Sequence, residues 1–215
     1  MTELFDNPFG FLSGLVLKIP ALLVAVTVHE VAHALVADRL GDPTARRLGR
    51  ITLNPLPHID PIGALAFVLA GFGWAKPVPV NALNFRHPVR DMVWVAAAGP
   101  LSNFLAALAA LVAVRLVVQT APGGFVGEPL GQMLVLIYVF NLVLGVFNLI
   151  PLPPLDGGHF LPYLFPRAGS FIHQLEQAGP FLLLLLVFSG ATDRVVRPII
   201  DLVGGVLLGV VRLLM

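Results

Sequence analysis

Cysteine is absent from the chain. Disulfides and thiolate metal ligands are therefore excluded, and any metal site has to be built from His, Asp or Glu. Charge is nearly as scarce: only 12% of the 215 residues are Asp, Glu, Lys or Arg, about half the share in an ordinary soluble domain. There is no basic run and no stripe of interleaved aromatic residues, so no nucleic-acid partner is expected, and the formal net charge of +1 adds no such signal. The N-terminal stretch holds Glu3 and Asp6 but no Lys or Arg before Lys18, which is not the basic start of a removable leader.

What the chain has in abundance is apolar side chain. Hydrophobic residues make up 57%, and the mean hydropathy is +0.90. A soluble fold of this size still needs a polar skin, whereas a bilayer absorbs apolar surface. The expected class is an all-α polytopic membrane protein in the lipid bilayer, with residues 1–215 forming a single transmembrane domain.

A spanning helix needs roughly 20 mostly apolar residues. Three runs form an expected core, at about 11–40, 92–118 and 132–150. Two further apolar segments follow, at about 179–190 (with a start nearer Phe171) and 195–215. The core is thus placed at about 11–160 and the accessory spans at about 171–215. Between the first two spans lies an irregular stretch, residues 42–90. In it Arg50-Ile51-Thr52-Leu53 alternates like a short strand, and Lys76-Pro77-Val78-Pro79-Val80-Asn81 is held extended by its prolines. A small membrane-associated β-element is expected there. Residues 62–72 are too short to cross and read as a re-entrant or interfacial segment. Irregular backbone at membrane depth survives only inside protein or against a wet cavity.

Basic residues set the orientation. Arg39, Arg46, Arg47, Arg50, Lys76, Arg86 and Arg90 lie between the first two spans, and residues 119–131 contain no Lys or Arg. The first connection is therefore expected in the cytoplasm, and so is the segment 151–167 after the third span. Arg194 and Arg197 fall on the outer side in this arrangement.

The chemistry is concentrated in His29-Glu30-Val31-Ala32-His33, an H-E-x-x-H pattern inside the first span. Positions four apart on a helix lie about 40° apart and roughly 6 Å along the axis, so both imidazoles can grip one ion. Glu30 stands beside them as a candidate proton acceptor. Three ionisable groups within one turn of a span, with no cation near Glu30, are costly as mere packing. A catalytic zinc site takes three protein ligands and keeps an open position. Asp156 is the best third donor. It follows the third span in Pro153-Pro154-Leu155-Asp156-Gly157-Gly158, on the same side as the two histidines; the alternative is that it only caps a turn.

These motifs resemble the site-2 proteases, intramembrane metalloproteases of peptidase family M50. The resemblance rests on His29 to His33, on the N-x-x-P-x-x-x-x-D-G pattern from Asn148 to Gly157, and on Gly99-Pro100-Leu101-Ser102-Asn103 in the middle span. It is to a minimal form, without PDZ or CBS modules. It implies a zinc ion held by His29, His33 and Asp156, with Glu30 as general base. It also implies Asn148 at the substrate backbone or oxyanion, and Asn103 lining the same cavity; the alternatives are an Asn148 bonded to its own helix and an Asn103 engaged in helix packing. The extended pieces at 50–54 and 77–81 resemble the family's element that offers substrate an edge strand. A subfamily signature, G-R-x-T-L-N-P-x-P-H-x-D-P, runs from Gly49 to Pro61. His58 within it is open between a cavity group, a gate and a structural residue bonded to Asp60; His159 is a candidate support for Asp156, and His87 and His173 read as solvated.

The expected function is therefore regulated intramembrane proteolysis. Substrates would be single-span membrane proteins or remnant signal peptides, cut towards the cytoplasmic side of a prokaryotic cell membrane. Two other classes use similar residues. A zinc or proton transporter would carry repeats and polar groups on several spans along a route. A catalytically inactive binder of membrane clients would lack a ligand or the base. Oligomeric state is not encoded legibly, although Gly205 and Gly209 are spaced as a helix-contact motif.

Overall fold

The computed structural model describes residues 8–70, 73–120 and 124–214. Eight helices occur in it: α1 (Pro8–Arg39), α2 (Thr44–Arg47), α3 (Pro61–Ala70), α4 (Pro88–Thr120), α5 (Gly124–Asn148), α6 (Leu161–Leu164), α7 (Gly169–Phe188) and α8 (Ala191–Leu214). Short 3₁₀ turns cover Leu56–His58, Ala82–Asn84 and Asp156–Phe160. Prolines lie inside the long helices at Pro20, Pro100, Pro129, Pro180 and Pro198. Membrane helices tolerate them because neighbouring groups satisfy the freed carbonyls.

Helices α1, α4 and α5 pack against one another as the expected three-helix core. Small residues allow the close approach. Ala21, Ala25, Ala34 and Ala37 of α1 and Ala107 of α4 are wholly buried. Gly145 of α5 accepts the Phe104 ring where any Cβ would collide with it.

Four helical stretches are long and apolar enough to cross a membrane: Gly14–Arg39, Pro88–Thr120, Gly127–Asn148 and Gly169–Phe188. The fourth starts close to Phe171, as expected. The segment expected as a fifth span is different in character. Helix α8 carries Arg194, Arg197, Asp201 and Arg212 and is not among the four. Its residues Val196, Ile200, Val203 and Leu207, at helical spacing, pack on Ala107, Leu142 and Val146. It behaves as an amphipathic brace on the core.

The expected β-element is not formed. Among the described residues the only pairing of this kind is an isolated antiparallel bridge between Ile59 and Ala75. The reason is local. Pro77 and Pro79 carry no N–H to donate to a ladder, and the Lys76 and Pro77 carbonyls are taken by the Arg50 guanidinium at 2.6 and 3.2 Å. The short apolar segment is helical, as α3. Asp60 caps it, its carboxylate accepting from the Ile62 and Gly63 amides at 3.0 and 2.8 Å, and Ile62, Leu65 and Leu69 stay exposed along it. Residues 71–72 of the expected segment lie outside the described residues.

The turn leaving α1 fixes the irregular stretch to the core. Gly41 adopts φ 111°, which lets the Asp42 amide reach back to the Ala37 carbonyl at 2.9 Å. Asp42 is fully buried and acceptor-rich. It binds the Thr44 amide and hydroxyl, the Asn81 amide at 2.7 Å and the Asn84 side chain at 2.7 Å. Burial opposes its charge, but these donors prevail and hold the carboxyl below its ordinary range. A carboxyl depressed in the folded state contributes stability above its unfolded value and loses it as pH falls. Asp42→Ala should therefore lower unfolding stability by about 3 kcal/mol at neutral pH. In thermal unfolding in detergent, the gap between variant and wild type should narrow once pH drops below about 4.

Candidate metal centre

His29 and His33 stand on one face of α1, buried to 5% and 8% exposure. Opposite them, α4 presents a stripe at four-residue spacing: Val95, Gly99 and Asn103. Each member has a distinct task. The Val95 carbonyl accepts from Nδ1 of His33 at 2.7 Å. The Asn103 Oδ1 accepts from Nδ1 of His29 at 2.7 Å. Gly99 leaves the space between; a Cβ there would sit 2.6 Å from Cε1 of His29 and collide with Nε2 of His33.

The Asn103 amide orientation is set by its other partners. Its Nδ2 donates to the Ala25 carbonyl at 2.9 Å and to Asn141 Oδ1 at 2.8 Å. Asn141 in turn donates to the Ile137 carbonyl at 2.8 Å. Asn103 Oδ1 is thus an acceptor, and His29 must carry its proton on Nδ1. The Val95 carbonyl demands the same of His33. Both Nε2 lone pairs then point inward.

Asp156 meets them there. It opens the 3₁₀ turn after the proline break, with Leu155 extended before it. Gly157 and Gly158 press against the Ile150 carbonyl and Pro153, where side chains would not fit. Asp156 Oδ2 lies 3.1 Å from His29 Nε2 and 3.3 Å from His33 Nε2, and the two Nε2 atoms are 3.0 Å apart. With the ring protons on Nδ1, none of the three atoms can donate, and Asp156 Oδ2 has no hydrogen-bond partner. Three converging lone pairs repel one another unless a cation lies among them. A tetrahedral ion with bonds of about 2.1 Å separates its ligands by about 3.4 Å, close to this triangle. The donor set therefore fits a metal.

The other expected residues fall in different places. Glu30 is buried beside the triad, but its Oε2 accepts from the Val78 amide at 2.7 Å. Asn103 has both amide hydrogens and its oxygen engaged within the protein, and it supports His29 from α4. Asn148 donates to the Leu144 carbonyl of its own helix at 3.0 Å. His58 is fully buried, yet its partner is the Thr52 carbonyl at 3.0 Å rather than Asp60. His87 and His173 are exposed, as expected, and among the described residues no hydrogen bond links His159 to Asp156. Asn141, the Val95 carbonyl and the Val78 amide were not anticipated. A lone amide in an apolar span signals Asn141, whereas main-chain partners leave no trace in side-chain identity.

The model of "Peptidase family M50" matches residues 18–187. The chain is 40% identical over 185 residues to "Putative zinc metalloprotease YwhC" of Bacillus subtilis (strain 168), covering 84% of each chain. It is 27% identical to the similarly described Rip2 of Mycolicibacterium smegmatis, covering 87% of this chain and 73% of that one. A zinc metalloprotease of Methanocaldococcus jannaschii is 27% identical, with 79% and 41% covered. No solved structure matches.

Two substitutions test the support of the histidines. Gly99→Ala should abolish metal retention, because its methyl group occupies the ligand space. Asn103→Ala should weaken metal affinity by about 10- to 100-fold through loss of the His29 tautomer lock. Chelator competition on detergent-purified protein reads both.

Proposed function

The chain belongs to peptidase family M50, and on that premise we propose that it is a zinc metalloprotease of the site-2 type. It hydrolyses peptide bonds of membrane-embedded substrates near the cytoplasmic face. The observation that carries the proposal is the convergence of His29 Nε2, His33 Nε2 and Asp156 Oδ2 with both Nδ1 atoms already engaged. A single zinc ion held by these three would supply Lewis acidity and bring the pKa of its water towards about 7.

The chain's own residues account for the remaining steps. Glu30 uses Oε2 for the Val78 amide, which leaves Oε1 to take a proton from the attacking water. The water oxygen bonds to the scissile carbonyl carbon, the C–N bond breaks, and Glu30 returns the proton to the departing amine. The Asn148 amide has two N–H groups, one of them on Leu144; the other serves the developing oxyanion. The ligands sit on or just after spanning helices, so a helical substrate has to unwind before its carbonyl is reached. Transport is less well supported, since the described donors gather at one point rather than along a route. An inactive client binder is disfavoured because ligands and base are all present.

Elemental analysis paired with cleavage of a single-span reporter tests this reading. Wild type should hold one zinc and cleave; Asp156→Ala should lose the metal. Glu30→Gln should keep it and lose activity by about 10⁴-fold or more, and retained cleavage would remove Glu30 from its role. Asn148→Ala should lower turnover by about 100-fold at unchanged zinc content; loss of metal would make it structural.

A further inference from the structure

The Gly49 to Pro61 signature has no part in the chemistry above, yet it contains two of the buried polar residues, Arg50 and His58. Both meet the extended strap Ala75 to Asn81, Arg50 through its side chain and His58 through its main-chain carbonyl. The His58 carbonyl accepts from the Lys76 amide at 2.9 Å, and the His58 ring is locked by the Thr52 carbonyl at 3.0 Å. Arg50, 7% exposed, clamps the Lys76 and Pro77 carbonyls. At the far end Asp42 holds the Asn81 amide. In the middle, the Val78 side chain packs against Ala34 of α1 and Ala45 of α2.

Between Pro77 and Pro79 only Val78 has an N–H. That single donor is delivered to Glu30 Oε2 at 2.7 Å. Glu30 and Ala34 are one turn apart on α1, so the strap is fixed to the helix by its side chain just where its amide meets the carboxylate. Edge-strand pairing is a poor use of this segment, because its amides at 76, 78 and 81 and its carbonyls at 76 and 77 are already spoken for.

We propose that the signature is a positioning device: Arg50 and His58 hold the strap so that the Val78 amide fixes the carboxylate of Glu30. This rests on the reading of the chain as a protease. One carboxylate oxygen is thereby committed and the other is left aimed for proton transfer. Arg50 and Val78 are positioning residues; they touch neither the metal ligands nor, on this view, the reacting atoms.

The test compares Val78→Pro, which deletes the donor, with Val78→Ala, which trims the side chain and keeps it. The substrate is a fluorescence-quenched peptide with an apolar helical segment, in the micelles that hold the enzyme. Wild-type cleavage that needs zinc and Glu30 establishes the protease reading by itself; its absence overturns that reading and this role with it. Given such cleavage, Val78→Pro should lower kcat by about 100-fold with little change in KM and full zinc content, while Val78→Ala, which loosens the side-chain anchor and keeps the donor, should lose no more than about tenfold. A Val78→Pro protein as fast as Val78→Ala overturns the proposal, and so does one that loses its zinc. Amide exchange of labelled valines supplies a readout free of activity. Arg50→Gln and Glu30→Ala should each speed exchange at Val78 by about tenfold or more. Unchanged protection in both variants overturns the contact.

Discussion

Everything at this site depends on where two protons sit. A neutral imidazole has one N–H and one lone pair, and only the lone pair can hold a metal. The Val95 carbonyl and Asn103 Oδ1 each claim an Nδ1 proton at 2.7 Å. That decides the tautomers before any ion arrives, and it turns two ordinary helical histidines into a preformed pair of donors. The Asp156 carboxylate completes a triangle of lone pairs that is unfavourable when empty of positive charge. Packing of the three-helix core brings these atoms together, so the donors are in place for a cation.

The core is shaped to allow this. Histidines facing a neighbouring span need room, and α4 provides it by omitting a side chain at Gly99. The neighbouring members of its stripe, Val95 and Asn103, supply the acceptors one turn to either side. The relay continues from Asn103 to Asn141 and the Ile137 carbonyl, so α1, α4 and α5 are joined by a buried chain of hydrogen bonds. In an apolar medium such bonds lack competition from water, which fixes the register of three otherwise greasy helices.

Much of this was legible from residue identity. Two histidines four apart in an apolar run require a metal more than they require anything else, and a carboxylate after a proline break on the same side is a natural partner. The spans were legible because length and apolarity are a direct consequence of bilayer thickness. What failed did so for a physical reason. Alternation and prolines at 50–53 and 76–81 promised paired strands, but a ladder needs N–H groups that proline lacks and carbonyls that Arg50 had already claimed. Asn103 was open between lining the cavity and packing between helices; its bonds run to His29, Ala25 and Asn141, and nothing in the identity of an asparagine says which way its amide is turned. The last helix read as a span because its apolar residues outnumber its charges, although its apolar stripe at Val196, Ile200, Val203 and Leu207 is the mark of a brace laid on the core.

Eight of the buried polar residues fall into two groups with one logic. His29, His33, Asn103 and Asn141 build the metal centre, while Glu30, Asp42, Arg50 and His58 hold irregular backbone in place. A chain that departs from helix near a membrane leaves amides and carbonyls that water cannot reach, and each must be matched by a side chain. Asp42 and Glu30 match amides; Arg50 matches carbonyls. Glu30 belongs to both groups, because the backbone it satisfies is also the backbone that orients it. One contact satisfies a buried amide and also restrains the carboxylate of Glu30, so the irregular stretch is tied to the helix that carries the two histidines.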